Sequence, residues 1–300
     1  MNLPLAILTV FFTAFLAVNA FSWKNAEAVE ITSKQAPHLK VEAQTTVITG
    51  LSASEMAQSE LPDWRRYSVP SVESGETPII ALVIDDLGHN EEEFVGVMAL
   101  GEGITLAILP YTNRAAEFAQ RARQHGFEIL VHMPMEATDS SADPGPNALL
   151  TNLSDKELMR RLSDNLASFT GYVGINNHMG SKFSQNRHAM LLVLGELEAR
   201  GLLYLDSVTS NSTIGAHLAE ESRMPHASRD VFLDNITEQS FIENQLRALE
   251  KVARKNGRAV AIGHPYDETL AVLKRWLPDA RRRGFEFVPI SAIAALECAC

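Results

Sequence analysis

From residue 79 onward, short apolar runs alternate with amphipathic segments, and this alternation limits the folds that the chain can adopt. The apolar runs occupy residues 79–85, 104–109, 127–133, 172–177, 202–207, 230–234, 259–264 and 285–290. Asn90 followed by three glutamates predicts one helix start, and further helical patterns lie at 113–125, 154–169, 186–200, 238–256 and 267–283. Several of these patterns end at a glycine, which permits the left-handed turn that stops a helix: Gly126, Gly201, Gly257 and Gly284.

Strands that alternate with helices predict a parallel sheet covered by helices. The runs are continuously apolar rather than alternating, as expected for strands buried on both faces. Seven or eight such units can close into a barrel, and an open doubly wound sheet is the alternative. Neither GxGxxG nor GxxxxGK[ST] follows any run, so a nucleotide-binding version of the open sheet lacks its motif.

The residues before this pattern predict an export signal and a tether. The first twenty residues carry no charged side chain, and Val18-Asn19-Ala20 resembles a signal peptidase site. We therefore expect a signal peptide or N-terminal anchor at 1–22, a flexible linker at 23–77 and one barrel domain at 78–297. The alternative for the linker segment is an extension that packs on the domain. The expected location is the periplasm, with retention by an N-terminal membrane anchor as the alternative.

Charge and cysteine content exclude some classes of protein. The net charge of −11 argues against nucleic acid as the main partner. Cys298 and Cys300 are the chain's two cysteines and both lie at its end, so disulfide bonds do not organise the fold.

Polar residues end four of the apolar runs, and in a parallel barrel the strand ends form the active site. These residues are Asp85 with Asp86, His132, His178 and His264. Two carboxylates and three imidazoles at one rim are the groups that a metal-dependent hydrolase uses. Asp206 and Asp234 also follow runs, but a single aspartate at a strand end is usually a helix cap or a turn residue, and we predict that role for both.

The ligand types narrow the choice of ion. Two imidazoles with one carboxylate suit Zn²⁺ or a similar divalent transition metal, with a position left open for water. Calcium would require more oxygen ligands and no histidine. A metal-free alternative is a glycosidase that pairs Asp85 or Asp86 with Glu136 or Asp206.

Five segments resemble the divergent polysaccharide deacetylase family, a branch of the NodB-like carbohydrate esterases. They are ALVIDDLG (81–88), GFEILVHMPMEA (126–137), GINNHMGSKF (174–183), RDVFLDN (229–235) and AIGHPY (261–266). The resemblance runs from about residue 79 to 291, which is nearly the whole proposed domain. It implies a distorted (β/α) barrel of seven to eight parallel strands.

The resemblance also implies roles for individual residues. In the family's first motif one aspartate is the catalytic base and the next binds metal, which by position are Asp85 and Asp86. His264 matches the late histidine that acts as general acid in the main branch.

The second motif of this chain departs from that of the main branch. His132 is its metal-binding histidine, and the main branch has another histidine four residues later, where this chain has Glu136. His178 is the natural replacement, because its strand adjoins that of His132 if strand order follows the sequence. The expected ligands are therefore Asp86, His132 and His178.

The implied activity is removal of acetyl groups from a cell-envelope polysaccharide or its fragments, with Zn²⁺ or a similar ion as cofactor. The alternative is a catalytically weak barrel that binds an envelope glycan or protein. Arg229 and Lys182 are candidates to keep Asp85 ionised, although an ordinary surface cation is the commoner role for such residues.

Overall fold

A computed structural model of the chain describes residues 61–70 and 77–298. The predicted signal peptide or anchor at 1–22 lies outside these residues, as do 23–60 and 71–76 of the predicted linker. Within the described ranges, no helix is both long enough and apolar enough to cross a membrane.

The described elements alternate as the sequence pattern predicts. Nine strands form one sheet, and all of their pairings are parallel. The strands are β1 (Ile79–Leu87), β2 (Ile104–Ile108), β3 (Glu128–Met135), β4 (Gly174–Met179), β5 (Leu203–Asp206), β6 (His226–Ser228), β7 (Val231–Phe232), β8 (Arg258–Gly263) and β9 (Glu286–Phe287). The helices are α1 (Asp63–Arg66), α2 (Glu91–Met98), α3 (Ala115–Gln124), α4 (Asp155–Leu166), α5 (Arg187–Ala199), α6 (Gly215–Glu221), α7 (Gln239–Asn256), α8 (Asp267–Arg282) and α9 (Ile290–Glu297).

The sheet curls into the predicted distorted barrel rather than the open alternative. Its strand path runs β6-β5-β4-β3-β2-β1-β8-β7, and β9 adds to β1. Only Arg229 and Asp230 separate the two strands at the ends of this path. One short segment, 226–232, therefore pairs with β5 through its first half and with β8 through its second, so the two ends of the strand path are joined by the chain and not by a β6–β7 pairing.

The barrel has two apolar layers, one on each face of the sheet. The outer layer packs the sheet against the helices and includes Phe94, Phe118 and Leu246. The inner layer fills the barrel with small and branched side chains such as Val83 and Ile262. Strands with apolar side chains on both faces are the physical cause of the continuous apolar runs.

The amino end of the barrel is closed by α9, a helix that the sequence pattern did not predict. Its residues Ile290 and Ile293 belong to the inner layer. Glu128, a buried carboxylate on β3, accepts hydrogen bonds from the backbone N–H and the hydroxyl of Ser291 and from the backbone N–H of Val69. A buried carboxylate is costly unless it is hydrogen-bonded, and this one is bonded to the segments that close the barrel.

Residues 61–70 fall within the predicted linker but pack on the barrel. Trp64 of α1 is 5% exposed and joins the inner layer, and its backbone N–H donates to the carbonyl of Gly201 at 2.9 Å. Burial of this large aromatic ring is the physical reason that these residues are ordered against the domain.

Gly174 gives a test of the sheet that does not involve the functional site. It pairs with Leu203 on β5, and a Cβ at Gly174 would lie 2.1 Å from the Leu203 carbonyl oxygen. We expect Gly174→Ala to lower the free energy of unfolding by about 1–3 kcal/mol, because the two backbones must separate. The measurement is urea denaturation followed by circular dichroism.

Gly195 supplies the matched control for that substitution. It lies within α5, and a Cβ there would meet nothing within 4 Å. Gly195→Ala should therefore raise the free energy of unfolding by about 0.5–1 kcal/mol. Equal stability of the two variants would contradict the β4–β5 pairing.

Candidate metal centre

The end of β1 presents two consecutive carboxylates to the same place. Successive residues of a regular strand point to opposite faces of the sheet. Here the β1–β2 register is irregular between Ile84 and Leu87, and Asp86 has a left-handed φ of 59°. The irregularity redirects Asp86, so both Asp85 and Asp86 lie beside His132. Backbone in a sparsely populated region at a cluster of polar groups is typical of a functional site.

The β3–β4 register brings two of the predicted histidines together. His132 pairs with Asn176, and two residues later Pro134 pairs with His178, so both imidazoles lie at the carboxyl end of adjacent strands. The prediction that the strand of His178 adjoins that of His132 is confirmed.

Asp86, His132 and His178 form a triangle of potential ligand atoms. Oδ1 of Asp86 lies 3.1 Å from Nε2 of His132 and 2.9 Å from Nδ1 of His178. The two ring nitrogens are 3.2 Å apart. These three residues form a group that could hold a metal ion.

Asn176 fixes which nitrogen of His132 faces this triangle. Its amide nitrogen donates to Oδ1 of Asp85 at 2.8 Å and to Oγ of Ser207 at 3.2 Å. Its carbonyl oxygen, 2.9 Å from Nδ1 of His132, must therefore accept from that nitrogen. In the neutral imidazole, Nε2 then carries the lone pair and points at Asp86.

Oδ1 of Asp86 and the Nε2 lone pair of His132 are both acceptors and face each other, so a proton or a cation must lie between them. Oδ1 of Asp86 is buried and has no hydrogen-bond partner within residues 61–70 and 77–298. Burial opposes protonation of His132, but the negative charges of Asp85 and Asp86 raise its pKa, so a proton can occupy the place of a metal. A buried carboxylate oxygen and an imidazole lone pair, held in position by Asn176, fit a divalent transition metal.

The paired carboxylates have opposite electrostatic environments. Burial raises the pKa of Asp85, against the opposing charges of His132 and His264. Burial also disfavours ionisation of Asp86, but His132 and His178 hold the pKa of that carboxyl well below its ordinary value. Asp86 is thus the permanent anion that a ligand must be, and Asp85 is the stronger base of the two.

His264 lies on the other side of Asp86, with its Nε2 3.7 Å from Oδ2 of that residue. Its Nδ1 is 2.9 Å from Oδ1 of Asp234, and its backbone N–H donates to Oδ2 at 2.6 Å. Oδ2 also accepts from Thr269. The prediction that Asp234 is merely a cap or turn residue is therefore wrong, because this buried carboxylate orients an imidazole of the site.

The pairing with Asp234 sets the charge of His264. Burial would lower the pKa of His264, but the hydrogen bond to Asp234 and the charge of Asp85 raise it to about 9. Because the pKa is raised on folding, this group stabilises the metal-free fold fully below the unfolded value of about 6.5. That contribution is lost as the pH rises through about 9.

We expect Asp234→Asn to lower the pKa of His264 by roughly 1–3 units, because it removes the adjacent negative charge. The pKa of the His264 imidazole can be measured by NMR titration of the metal-free full chain, in the wild type and in the variant. The variant should also lose the decline in stability between pH 7 and 9. An unchanged titration curve would show that Asp234 does not control His264.

Glu136 and Lys182 lie apart from the triangle and bind each other. The Lys182 Nζ donates to Oε1 of Glu136 at 2.7 Å, and Oε2 accepts from the backbone and hydroxyl of Thr151. Lys182 therefore pairs with Glu136, and it is not the cation that keeps Asp85 ionised. Glu136, at the position of the main branch's second histidine, anchors loops instead of binding metal.

Asp206 has the turn role predicted for it. Its carboxylate is fully buried and accepts from the backbone of Val208 at 2.8 Å and from the hydroxyl of Thr213 at 2.7 Å. With Glu136 and Asp206 both engaged in loop contacts, the glycosidase alternative lacks a free second carboxylate.

A cleft of about 850 Å³ contains the site. Asp85, Asp86, His132, His178 and His264 all line it. Arg229 also lines it, and its guanidinium donates to the carbonyls of Ser207 and Val208 at 2.6 Å each. The five residues predicted from strand ends are thus brought together, whereas the sequence did not single out Asn176 and predicted only a cap or turn role for Asp234.

Comparison with known proteins agrees with the motifs. Residues 82–294 match the family model described as divergent polysaccharide deacetylase. The match covers more than half of the chain, which therefore belongs to the divergent polysaccharide deacetylase family.

Several relatives share this domain. The chain is 37% identical over 199 residues to the uncharacterized protein YibQ of Escherichia coli K12, covering 65% of this chain and 61% of that protein. It thus spans about three fifths of the length of that relative. An uncharacterized protein of Haemophilus influenzae is 32% identical over 198 residues, covering 66% of this chain and 70% of the relative.

Solved structures share the fold. The crystal structure of the uncharacterized protein ATU2773 from Agrobacterium tumefaciens C58 superposes with a TM-score of 0.75 and 29% identity, covering 81% of this chain and 97% of that one. A putative cellobiose-phosphate cleavage protein from Enterococcus faecalis V583 has a TM-score of 0.55 at 12% identity, covering 73% of this chain and 99% of that one, which shows the likeness of fold alone.

Proposed function

We propose that this protein is a metal-dependent hydrolase that removes acetyl groups from a cell-envelope polysaccharide. The observation that carries the proposal is the triangle of Asp86, His132 and His178, with Asp85 beside one ligand and His264 beside another. A metal site flanked by a base and an acid is the arrangement that hydrolysis of an acyl group requires. The envelope location rests on the export signal expected at 1–22.

Zn²⁺ is the proposed ion, held by Asp86, His132 and His178. Two imidazoles and one carboxylate are a ligand set of catalytic zinc. When bound, zinc supplies Lewis-acid polarisation of the acyl carbonyl and lowers the pKa of water.

Asp85 is the proposed catalytic base. It is 3% exposed, and its Oδ1 is held by the amide of Asn176, which leaves Oδ2, 3.6 Å from Nε2 of His132, to face the triangle. Oδ2 takes a proton from the attacking water as the water oxygen bonds to the acyl carbon. The raised pKa of Asp85 makes it a better proton acceptor than an exposed carboxylate.

His264 is the proposed general acid. Its Nδ1 is held by Asp234, so the proton that it can release is on Nε2, on the side of Asp86. As the bond from the acyl carbon to nitrogen or oxygen breaks, His264 protonates the leaving atom. The products are a carboxylic acid and a free amine or alcohol, and proton exchange with solvent restores both residues.

Metal depletion and refilling of the full chain test the proposal. Acetate release from acetylated chito-oligosaccharides and peptidoglycan should cease after chelation and return with Zn²⁺. Activity that persists in the chelated protein would refute metal dependence. Metal binding without acetate release would refute the activity and leave the alternative of a barrel that binds glycan or protein.

A further inference from the structure

The strands of the barrel are short at β6 and β7, which border the cleft that contains the metal triangle. β6 contains three residues and β7 two, whereas β1 contains nine and β3 eight. Because this part of the ring is so short, the cleft does not stop at the barrel mouth. It continues across Arg229 and Asp230 to helix α7 on the outside of the sheet.

The outer end of this cleft is aliphatic. Helix α7 buries one stripe against the sheet, formed by Ile242, Leu246, Leu249 and Ala253. Ala248 and Val252, on an adjoining stripe and half-buried, line the cleft instead. Val208 and Phe232, which are half-buried, continue the apolar surface from α7 to the metal triangle, whereas Ile262 is only 1% exposed. We call this surface the aliphatic wall, formed by the aliphatic side chains of Val208, Ala248 and Val252 and by the ring of Phe232.

The charged groups of this part of the cleft are already paired with the protein backbone. Arg229 donates to two carbonyls and lies over the ring of Phe232, 5.0 Å from its centroid. Asp230 accepts from the backbone N–H of Val260 at 2.8 Å. These ions are therefore already paired, and a ligand in this part of the cleft would contact the aliphatic wall together with the uncharged side chains of Asn235 and Gln245.

Two aromatic side chains lie beside His264, and one of them, Phe232 of the aliphatic wall, has its ring centroid 5.5 Å from that of the imidazole. Tyr266 is 43% exposed, and its ring lies 5.4 Å from that of His264. An exposed tyrosine offers an apolar face and a hydroxyl, which suit a sugar ring. His264, which protonates the leaving atom in the proposed mechanism, lies next to this tyrosine. Tyr266 thus offers the sugar a position next to the general acid, and the aliphatic wall, which begins at Phe232, is left for the acyl group.

We propose that the preferred substrate is a sugar carrying an acyl chain longer than acetyl, and that this chain lies along the aliphatic wall. The inference rests on the proposed hydrolase function and specifies its substrate class. An acetyl methyl would leave the α7 end of the cleft as apolar side chains in contact with water, which is unfavourable. A longer chain displaces that water. The reaction is unchanged, with water added across the acyl–nitrogen bond to give a fatty acid and a free amine.

Chain length is the first test. The zinc-loaded full chain is assayed with glucosamine oligosaccharides that carry either N-acetyl or N-hexanoyl groups, and amine release is measured. Each methylene that is fully buried is worth about fourfold in binding. We expect kcat/KM for the hexanoyl substrate to exceed that for the acetyl substrate by roughly tenfold or more. A preference for acetyl would overturn the proposal.

Ala248→Phe tests the wall itself, because it fills the cleft without altering the metal triangle. It should lower the ratio of kcat/KM for the hexanoyl substrate to kcat/KM for the acetyl substrate by about tenfold. Arg247→Phe is the matched control, since it adds the same ring to an exposed position of α7 that lies outside this cleft. Equal effects of the two variants on the hexanoyl substrate would refute the assigned position of the chain.

Binding to the metal-free protein separates this inference from the proposed function. N-hexanoyl- and N-acetyl-glucosamine are titrated into the metal-free full chain by calorimetry. Tighter binding of the hexanoyl sugar, abolished by Ala248→Phe, would support the wall even if neither compound is hydrolysed. Hydrolysis of acetyl sugars with no dependence of binding on chain length would support the hydrolase and overturn the wall.

Discussion

Asp85→Asn should abolish turnover while leaving the metal in place. Asparagine keeps the size of the side chain, and its oxygen can still accept from Asn176, but it cannot take a proton from water. Loss of a general base typically lowers the rate by about 10²–10⁴-fold. The measurement is kcat for acetate release, at a zinc content per chain matched to that of the wild type by elemental analysis.

The metal content of that variant distinguishes a base from a ligand. Asp85 Oδ2 lies 3.6 Å from Nε2 of His132, whereas Asp86 Oδ1 lies within 3.1 Å of both ligand nitrogens. Zinc occupancy should therefore stay near that of the wild type. Asp164→Asn, at an exposed position of α4, is the control for loss of a carboxylate elsewhere. If Asp85→Asn loses its zinc, Asp85 is a ligand and the assignment of roles within the pair is wrong.

His178→Ala should weaken zinc binding by more than about 10–100-fold. Loss of a group that merely supports a ligand typically costs that much, and His178 is one of the three proposed ligands. The affinity is measured by competition with a chromogenic chelator. Zinc should also raise the melting temperature of the wild type, because it binds the folded state, and should raise that of the variant much less.

The control for this variant is His188→Ala. His188 is exposed on α5, pairs with Asp155 and does not line the cleft. The His188→Ala variant should bind zinc with the affinity of the wild type. If His178→Ala binds zinc with unchanged affinity, His178 is not a ligand. His178 would then not replace the second histidine of the main branch.

The strand ends made the main residues of the site predictable. Asp85, Asp86, His132, His178 and His264 each end an apolar run, and parallel strands carry their ends to one rim. Periodicity and strand direction are local properties of a sequence, so the sequence alone could place these groups together. It could not show the left-handed backbone of Asp86, which turns consecutive side chains towards one ion site.

Asn176 and Asp234 were missed for a physical reason. Each has a type that is common in turns and caps, so its local sequence predicts a structural role. Their function depends on partners 30 or more residues away: Asn176 contacts Asp85 and His132, and Asp234 contacts His264. Such contacts follow from strand register and side-chain direction, which a single sequence does not specify.

The sequence pattern also did not predict β6, α6 and α9. β6 is too short to give a period, and α6 lies in a segment rich in small and polar residues. The run at 285–290 was predicted as a strand, but β9 covers two of its residues and α9 begins at Ile290. An apolar helix that fills a barrel has no polar face, so it resembles a buried strand in sequence.

The position of β1 in the ring has a consequence for how the protein is made. β1 begins at Ile79 but pairs with β8, whose partner residues begin at Arg258. During synthesis, β1 through β5 can pair with one another while the free edge of β1 and the unfilled interior stay exposed. Ring closure waits for the late residues of the chain, and such non-local pairing is slow and prone to aggregation. We therefore expect the chain to be most prone to aggregation while residues 258–263 are not yet available to pair with β1.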